Sequence, residues 1–283
     1  MRADSKSLLL RLLLLALYIL SPVAEVSAQD FRSTRNLQSS PTSAEPLVVF
    51  PNLMGRRHVG VVLIGDSLSF GPFGERLELL LKNSVGVANV CIFASCGSSP
   101  ENWIAGEPVY NTKCGYRQST PKTRECFISD FNHGKAPPPY PTPKLGKILS
   151  KYQPDLIIIQ QGTNWMDNFH PNRREDINRI CRIINGIIKE IRSGSPGSRI
   201  VWILPPASSK YPQAVQLQIA ESIRRCAAAY RFRCIDSRSL TGPYIKGVTG
   251  RDGVHYSHDP AQNWANKTYQ KLRGMEPEIL AAP

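Results

Sequence analysis

The sequence contains neither a CxxC pair nor a Cys/His cluster with the spacing of metal ligands, so we predict no metal site. It has no internal repeat. Its basic residues are scattered, with no long Lys/Arg block and no aromatic-interleaved basic module, so nucleic acid is not an expected partner. Beyond residue 28 no segment is long and apolar enough to cross a bilayer, and we expect no stable membrane span once a signal is removed.

Length and charge set broad limits. The chain has 283 residues, enough for one α/β domain with a substantial core or for two small domains. It carries 35 Lys and Arg against 22 Asp and Glu, a formal net charge of +13. Such a surface favours acidic polymers or anionic membranes as neighbours, although a solvated basic surface without a specific partner explains the charge equally well.

The first residues have the features of a secretion signal. Residues 1–28 combine a basic start, an apolar core over about 8–20, a helix-breaking Pro22 and a small-residue cleavage sequence at 26–28. An uncleaved anchor is the alternative, but the apolar run is short and Arg11 interrupts it. We therefore predict a secreted or periplasmic protein. Residues 29–57 are polar and unpatterned apart from "LVVF", which predicts a flexible leader.

All the cysteines follow the predicted signal. In an exported protein some of them should be paired, and the odd count of seven leaves at least one free or bonded to another chain. One candidate pair is Cys114 with Cys126, which would close a loop. A second is Cys226 with Cys234, which would tie a helix end to a strand. The sequence leaves the connectivity open. The other three are Cys91, Cys96 and Cys181.

Apolar runs alternate with helical patterns from residue 58 onward, which indicates an α/β fold. Isoleucines at helical spacing predict a helix over 177–191 that stops at Gly194, and Pro212 and Asp259-Pro260 open two more. The alternation predicts a three-layer α/β/α sandwich with a central, mainly parallel sheet of about five strands. The runs are typical of strands buried on both faces, and lie at 59–64, 88–94, 155–161, 199–204 and, more weakly, 233–237.

One segment does not follow this alternation of strands and helices. Residues 98 to about 148 are too many for an ordinary strand–helix connection. They include two cysteines, several aromatic residues and the proline-rich "KAPPPYPTPK". The segment is either a substrate-facing insertion held by a disulfide or a disordered excursion. The cysteines and aromatic residues favour the insertion.

Four polar motifs follow predicted strands or precede the last predicted helix. Ligands of open α/β sheets bind beyond the carboxyl ends of the strands. Each motif alone is typical of a turn or a helix cap. Together they supply a hydroxyl nucleophile, amide donors, a carboxylate and an imidazole in chain order. They are "GDS" at 65–67, "SCG" at 95–97, "GTN" at 162–164 and "DGVHY" at 252–256.

This set resembles the SGNH (GDSL) hydrolase family, whose blocks are Gly-Asp-Ser, a glycine, Gly-x-Asn and Asp-x-x-His in that order. The resemblance covers most of the chain after residue 57 and implies a flavodoxin-like catalytic domain over 58–283. It implies that Ser67 is the nucleophile, with Asp252 and His255 completing a triad. It also implies an oxyanion hole formed by the backbone N–H groups of Ser67 and Gly97 and by the side-chain amide of Asn164.

The chemistry of these residue types agrees with those roles. A serine hydroxyl is a poor nucleophile until a neighbouring imidazole, here His255, takes its proton. A carboxylate three residues earlier, Asp252, is close enough to fix the ring tautomer. Gly97 exposes its N–H to close approach, and Asn164 adds a donor where negative charge develops. The G-x-S-x-G elbow of α/β-hydrolase esterases is missing around Ser67.

We therefore predict a serine esterase that needs no cofactor and cleaves a short acyl group, acetyl, from a carbohydrate. Trp165 and Tyr256 flank the site and are predicted to bind substrate, the alternative being that they pack beneath loops. The expected partner is a small-molecule or glycan ester, with an acidic polymer as a further candidate. The alternatives are an O-acyltransferase, a lipase or thioesterase for longer chains, and a glycan-binding protein on an inactive version of the fold.

Overall fold

A computed structural model describes residues 59–107, 110–128 and 140–280, with the side chains of 125–128 left out of the description. The predicted signal and leader lie outside the described residues. Within the described residues, no helix has the length and apolarity that a membrane crossing requires.

The strands form one seven-stranded sheet. Five of them coincide with the predicted apolar runs: β1 (Val59–Gly65), β2 (Val87–Ser95), β5 (Leu156–Gln160), β6 (Arg199–Ile203) and β7 (Arg233–Ile235). These five pair in parallel, in the order β2-β1-β5-β6-β7. A mainly parallel sheet is thus confirmed.

Two further strands were not predicted. β3 (Gly115–Ser119) pairs antiparallel with β2, and β4 (Arg124–Ile128) pairs antiparallel with β3. Both belong to the segment 98–148. The sequence of β3, "GYRQS", has no apolar run because its buried positions are filled partly by polar groups, including Arg117, that find partners. A search for apolarity therefore overlooks this hairpin.

The helices cover both faces of the sheet, which gives the predicted three layers. In chain order the described helices are α1 (Ser67–Phe70), α2 (Pro72–Lys82), α3 (Pro100–Ala105), α4 (Leu145–Tyr152), a 3₁₀ helix (Thr163–Asn168), α5 (Arg174–Gly194), α6 (Gln213–Tyr230), α7 (Ser237–Thr241), α8 (His258–Met275) and α9 (Pro277–Leu280). Helices α2 and α8 pack on the face formed by Val61 and Leu63, whereas α4, α5 and α6 pack on the face formed by Val62 and Ile64.

The cysteine pairing differs from both predicted pairs. Cys114 is bonded to Cys96, not to Cys126, because β3 folds straight back along β2 and sets Tyr116 opposite Ser95. Cys226 is not bonded to Cys234. Its Sγ lies 3.1 Å from the Sγ of Cys181, since α5 and α6 pack side by side, and all three of these cysteines are thiols.

A buried ion pair fastens the hairpin to helix α2. Glu78 accepts hydrogen bonds from the Arg117 guanidinium, from Ser119 Oγ and from Lys82 Nζ. Burial acts to raise the Glu78 pKa, but these donors outweigh it and hold the pKa below its usual value. Arg117 Nη1 also donates to the carbonyl of Ser69 in α1, at 3.4 Å. The hairpin is thereby tied to the turn that carries Ser67.

We predict that Glu78→Gln destabilises the protein by roughly 3–5 kcal/mol, because it leaves the buried Arg117 charge without its counter-ion. Chemical denaturation followed by circular dichroism measures this loss. Glu75→Gln, at an exposed position on the same helix, is the control and should cost less than about 1 kcal/mol. Equal effects of the two changes would contradict a structural role for the ion pair.

Candidate active site

The chain turns sharply where β1 ends. Asp66 caps α1, since its Oδ1 accepts a hydrogen bond from the Leu68 N–H at 2.9 Å. Gly65 is required just before it, because a Cβ there would lie 2.1 Å from the Cβ of Ser69. The capped turn places Ser67 at the first position of the helix, at the carboxyl edge of the sheet.

A continuous chain of hydrogen bonds joins Ser67 to two residues near the C-terminus. His255 Nε2 lies 2.8 Å from Ser67 Oγ, and His255 Nδ1 lies 2.5 Å from Asp252 Oδ2. With a proton on Nδ1 directed at the carboxylate, Nε2 is left to accept the serine proton. The fold thus brings together the three residues of the predicted triad across 188 positions of sequence.

The loop that carries His255 is held in place by hydrogen bonds between side chains and the loop backbone. Asp252 Oδ1 accepts the N–H groups of Val254 and His255, at 2.9 and 2.8 Å. The Tyr244 hydroxyl donates to the His255 carbonyl at 2.9 Å. At Gly250 a Cβ would lie 2.0 Å from that same carbonyl oxygen, so only glycine allows the loop to pass this close. The imidazole is therefore positioned before any ligand arrives.

Asp252 is suited to hold a protonated imidazole. Desolvation acts to raise its pKa, but hydrogen bonds from the His255 side chain and from two backbone N–H groups lower the pKa to about 2. The carboxylate is therefore ionised over the whole range in which the protein is expected to work. A carboxylate in this position can orient the ring and stabilise a positive charge on it.

The predicted amide donors Gly97 and Asn164 follow β2 and β5, the two strands that flank β1. Gly97 sits in a tight turn with φ of +76°, where the Ser98 N–H bonds the Ser95 carbonyl, and the disulfide at Cys96 adjoins it. A Cβ on Gly97 would lie 2.7 Å from Cδ of Lys113. The Asn164 side-chain amide donates to the carbonyl of Ser98 at 2.7 Å, which fixes that amide next to Gly97.

Comparison with solved structures identifies the architecture. The chain resembles a DUF4886 family protein from Bacteroides uniformis (15% identity, 80% of this chain and 88% of the other, TM-score 0.52). It also resembles a peptidoglycan O-acetylesterase (12%, 79% and 93%, 0.50) and a protein from Slackia heliotrinireducens assigned to the SGNH hydrolases (15%, 76% and 100%, 0.49). No protein-family model matches the sequence, and no curated protein matches it significantly.

The chain shares its fold with the DUF4886 family protein and the peptidoglycan O-acetylesterase. At this level of identity the likeness concerns the fold, and the argument for an activity has to come from the side chains of this chain. In this fold, Ser67 follows the central strand β1, while Gly97 and Asn164 follow the two strands that flank it.

Ser98 is a buried hub that sequence reasoning missed. Its Oγ accepts hydrogen bonds from Trp103 Nε1 and Gln161 Nε2, both at 3.1 Å. The same hydroxyl points to the Gly65 carbonyl at 3.4 Å, and the Ser98 carbonyl holds Asn164. The hub links the ends of β1, β2 and β5. A serine one position after "SCG" gives no sequence signal of this role, which depends on contacts distant in the chain.

The two aromatic residues predicted to bind substrate occupy different places. Trp165 is fully buried in the core, where its indole N–H donates to Glu101 at 2.9 Å and its ring stacks near Trp202. Tyr256 instead forms part of the wall of a small pocket that opens beside Ser67 and His255. Only Tyr256 of the two is placed to touch a ligand held at Ser67.

Two other described histidines have carboxylate partners of their own. His170 is exposed and contacts Asp176, and His258 is exposed at the start of α8 and contacts Asp259. Across the described part of the chain, no group of three or more His, Cys, Asp or Glu side chains is arranged to hold a metal ion.

Asp66 is an unusual carboxyl group for a position so close to the candidate nucleophile. It is completely buried, and its Oδ2 has no hydrogen-bond partner among the described residues. Burial raises its pKa from 3.8 to about 7, and the Leu68 N–H and the nearby His255 offset only part of that shift. In the folded protein this carboxyl therefore gains its proton near neutrality.

This shift predicts a pH dependence of stability that Asp66→Asn removes. Between about pH 4 and pH 7 the folded state holds a proton on Asp66 that the unfolded state has lost, so this group's contribution to the free energy of unfolding falls as the pH rises. Urea unfolding at several pH values should show that the free energy of unfolding of the variant rises relative to that of the native protein between about pH 4 and pH 7. A difference that stays constant from pH 4 to pH 8 would contradict the assignment.

Proposed function

We propose that this protein is a serine esterase that cleaves a short acyl ester through an acyl-Ser67 intermediate. The observation that carries the proposal is the chain of hydrogen bonds from Ser67 through His255 to Asp252, at 2.8 and 2.5 Å. These are the distances that proton transfer between a nucleophile and its base requires.

The proposed reaction has two steps. Ser67 Oγ attacks the ester carbonyl while His255 Nε2 takes the hydroxyl proton, and the C–O bond to the alcohol breaks as His255 returns that proton to the leaving oxygen. Water then attacks the acyl-serine and loses a proton to His255, and the bond between the acyl carbon and Ser67 Oγ breaks as His255 returns that proton to Oγ, which releases the acid and restores Ser67. Asp252 stabilises the imidazolium in both steps without being protonated itself.

Negative charge on the carbonyl oxygen needs donors fixed in advance. We assign this role to the backbone N–H groups of Ser67 and Gly97 and to the Asn164 amide. The tight turn at Gly97 and the bond from Asn164 to the Ser98 carbonyl support the assignment, because both hold the donors in place without a ligand. Fixed dipoles of this kind stabilise a developing oxyanion without reorganising during the reaction.

For the substrate we propose a short acyl group, acetyl, carried by a carbohydrate outside the cell. One solved structure of the same fold is a peptidoglycan O-acetylesterase, which acts on an ester of this kind. The Cys96–Cys114 disulfide is compatible with an extracellular or periplasmic location, in agreement with the predicted signal. The net charge of +13 suits an acidic glycan.

Transfer of the acyl group to a sugar hydroxyl uses the same intermediate, and product analysis with acceptor sugars distinguishes it from hydrolysis.

We predict that Ser67→Ala abolishes hydrolysis of 4-nitrophenyl acetate and all labelling by a fluorophosphonate probe, while circular dichroism and melting remain those of the native protein. Mass spectrometry should locate one equivalent of probe on Ser67. Ser209→Ala, which removes an exposed serine beside the His255 loop, is the control. It should hydrolyse the ester and react with the probe as the native protein does. Native-like activity without Ser67 would eliminate the serine mechanism, and a chain that never labels would favour a glycan-binding role.

A second prediction concerns the oxyanion donors. Asn164→Ala should lower kcat by roughly 10²–10³, equivalent to about 2.7–4 kcal/mol of barrier, with little change in KM, because the lost donor acts mainly in the transition state. Steady-state kinetics measure both constants. Asn168→Ala, at the exposed end of the same 3₁₀ helix, should leave them unchanged. An equal loss in both variants would mean that the helix, and not the Asn164 amide, is responsible.

A further inference from the structure

A small pocket opens directly beside Ser67 and His255, on the α2 and α8 side of the sheet. Its walls come from the start of α2, from the residue after Ser67 and from the first two turns of α8. Nothing in the sequence analysis, apart from Tyr256, pointed to it. The side chains that form the walls are Leu68, Pro72, Phe73, Tyr256, Ala261 and Trp264.

The pocket is lined almost entirely by apolar groups. Its wall residues are aromatic or aliphatic, and the polar groups of the site, Ser67 and His255, stand at its mouth. A sugar bound there would leave its hydroxyl groups without partners, at a cost of about 1–3 kcal/mol each. An alkyl chain has no hydroxyl groups to leave unbonded, and the burial of its apolar surface is favourable. The chemistry of the lining therefore matches the acyl side of an ester better than the carbohydrate side.

The donors assigned to the oxyanion support this orientation. The Asn164 amide donates to the carbonyl of Ser98, whose hydroxyl accepts the Trp103 indole N–H, and Trp103 packs on the other face of the sheet. The pocket instead shares the face packed by α2 and α8. A carbonyl carbon at Ser67 Oγ with its oxygen toward Gly97 therefore has a separate apolar space available for its alkyl group.

The pocket is small and its walls are rigid. The cavity volume is about 40 Å³, far below the roughly 300–1,000 Å³ of pockets that hold drug-sized ligands. Trp264 stacks on Phe73 with ring centroids 3.6 Å apart, and Tyr256 is fixed through its hydroxyl, which donates to the Ala207 carbonyl at 2.7 Å. Ala261 is 2% exposed and lies one helical turn before Trp264. A longer chain would have to displace these packed rings.

We propose that this pocket binds the acyl group of the substrate, and that Ala261 together with Trp264 restricts that group to a few carbon atoms. The inference rests on the proposed esterase function, and it adds a specificity-determining position that lies outside the triad and the oxyanion donors. Ala261 is the most useful position for a test, because its methyl group is the smallest part of the wall and can be enlarged or removed in steps.

The test measures kcat/KM for 4-nitrophenyl acetate, propionate, butyrate and hexanoate with the native protein and with Ala261→Gly, Ala261→Val and Ala261→Leu. The native protein should prefer acetate or propionate. Valine and leucine should lower the butyrate-to-acetate ratio progressively, by roughly tenfold or more, since one methylene group in an apolar pocket is worth about 10–200-fold. Glycine should raise that ratio. Asn263→Val and Asn263→Gly, at an exposed position of the same helix turn, should leave the profile unchanged.

The outcomes separate this inference from the function on which it rests. If the native protein hydrolyses none of the esters and Ser67 is not labelled, the esterase function itself fails. If Ser67-dependent hydrolysis is present but the chain-length profile is the same in all Ala261 variants, the acyl-pocket inference alone is overturned. Should leucine prevent folding, as judged by melting, the glycine and valine variants still decide the question, because they change the ratio in opposite directions.

Discussion

The register of three adjacent parallel strands is the constraint on which the site depends. In β1, Gly65 pairs with Ala94 of β2 on one side and with Gln160 of β5 on the other. All three strands therefore end at the same level, and the motifs that follow them leave the sheet together. A slip of one strand by a single residue would move each of its side chains to the opposite face of the sheet and would separate the motifs. Burial of β1, β2 and β5 on both faces makes such a slip costly.

The rest of the site is built from two sides of this edge. On one face, Ser98 joins the strand ends through a buried set of hydrogen bonds and holds the Asn164 amide. On the other face, the loop before α8 brings His255 over Ser67, and Tyr244 fixes that loop by accepting the Gly253 N–H and donating to the His255 carbonyl. The serine thus stands between a polar, hydrogen-bonded wall and an apolar one.

Local patterns predicted the parts of the fold that depend on apolarity, and failed where partners are distant in the chain. The strands β1, β2, β5 and β6 are continuous apolar runs, so their burial is visible in the sequence. The β3–β4 hairpin was missed because its buried Arg117 is paired with Glu78, and sequence does not reveal that pairing. The disulfide pairs were wrong for the same reason, since backbone pairing of β2 and β3 decides which cysteine meets Cys114.

The candidate site was predicted through its ordered motifs, whereas its apolar wall was not, because Ala261 and Trp264 have the spacing of ordinary helix core residues. The described triad has one more physical consequence. The side chains of His255 and Asp252 are 49% and 54% exposed. In the proposed reaction, a departing alcohol that takes its proton from this imidazole would therefore leave toward bulk water. In the same proposal, an ester borne by a long polymer would approach from the side, with only its smallest branch entering the protein and its main chain remaining outside.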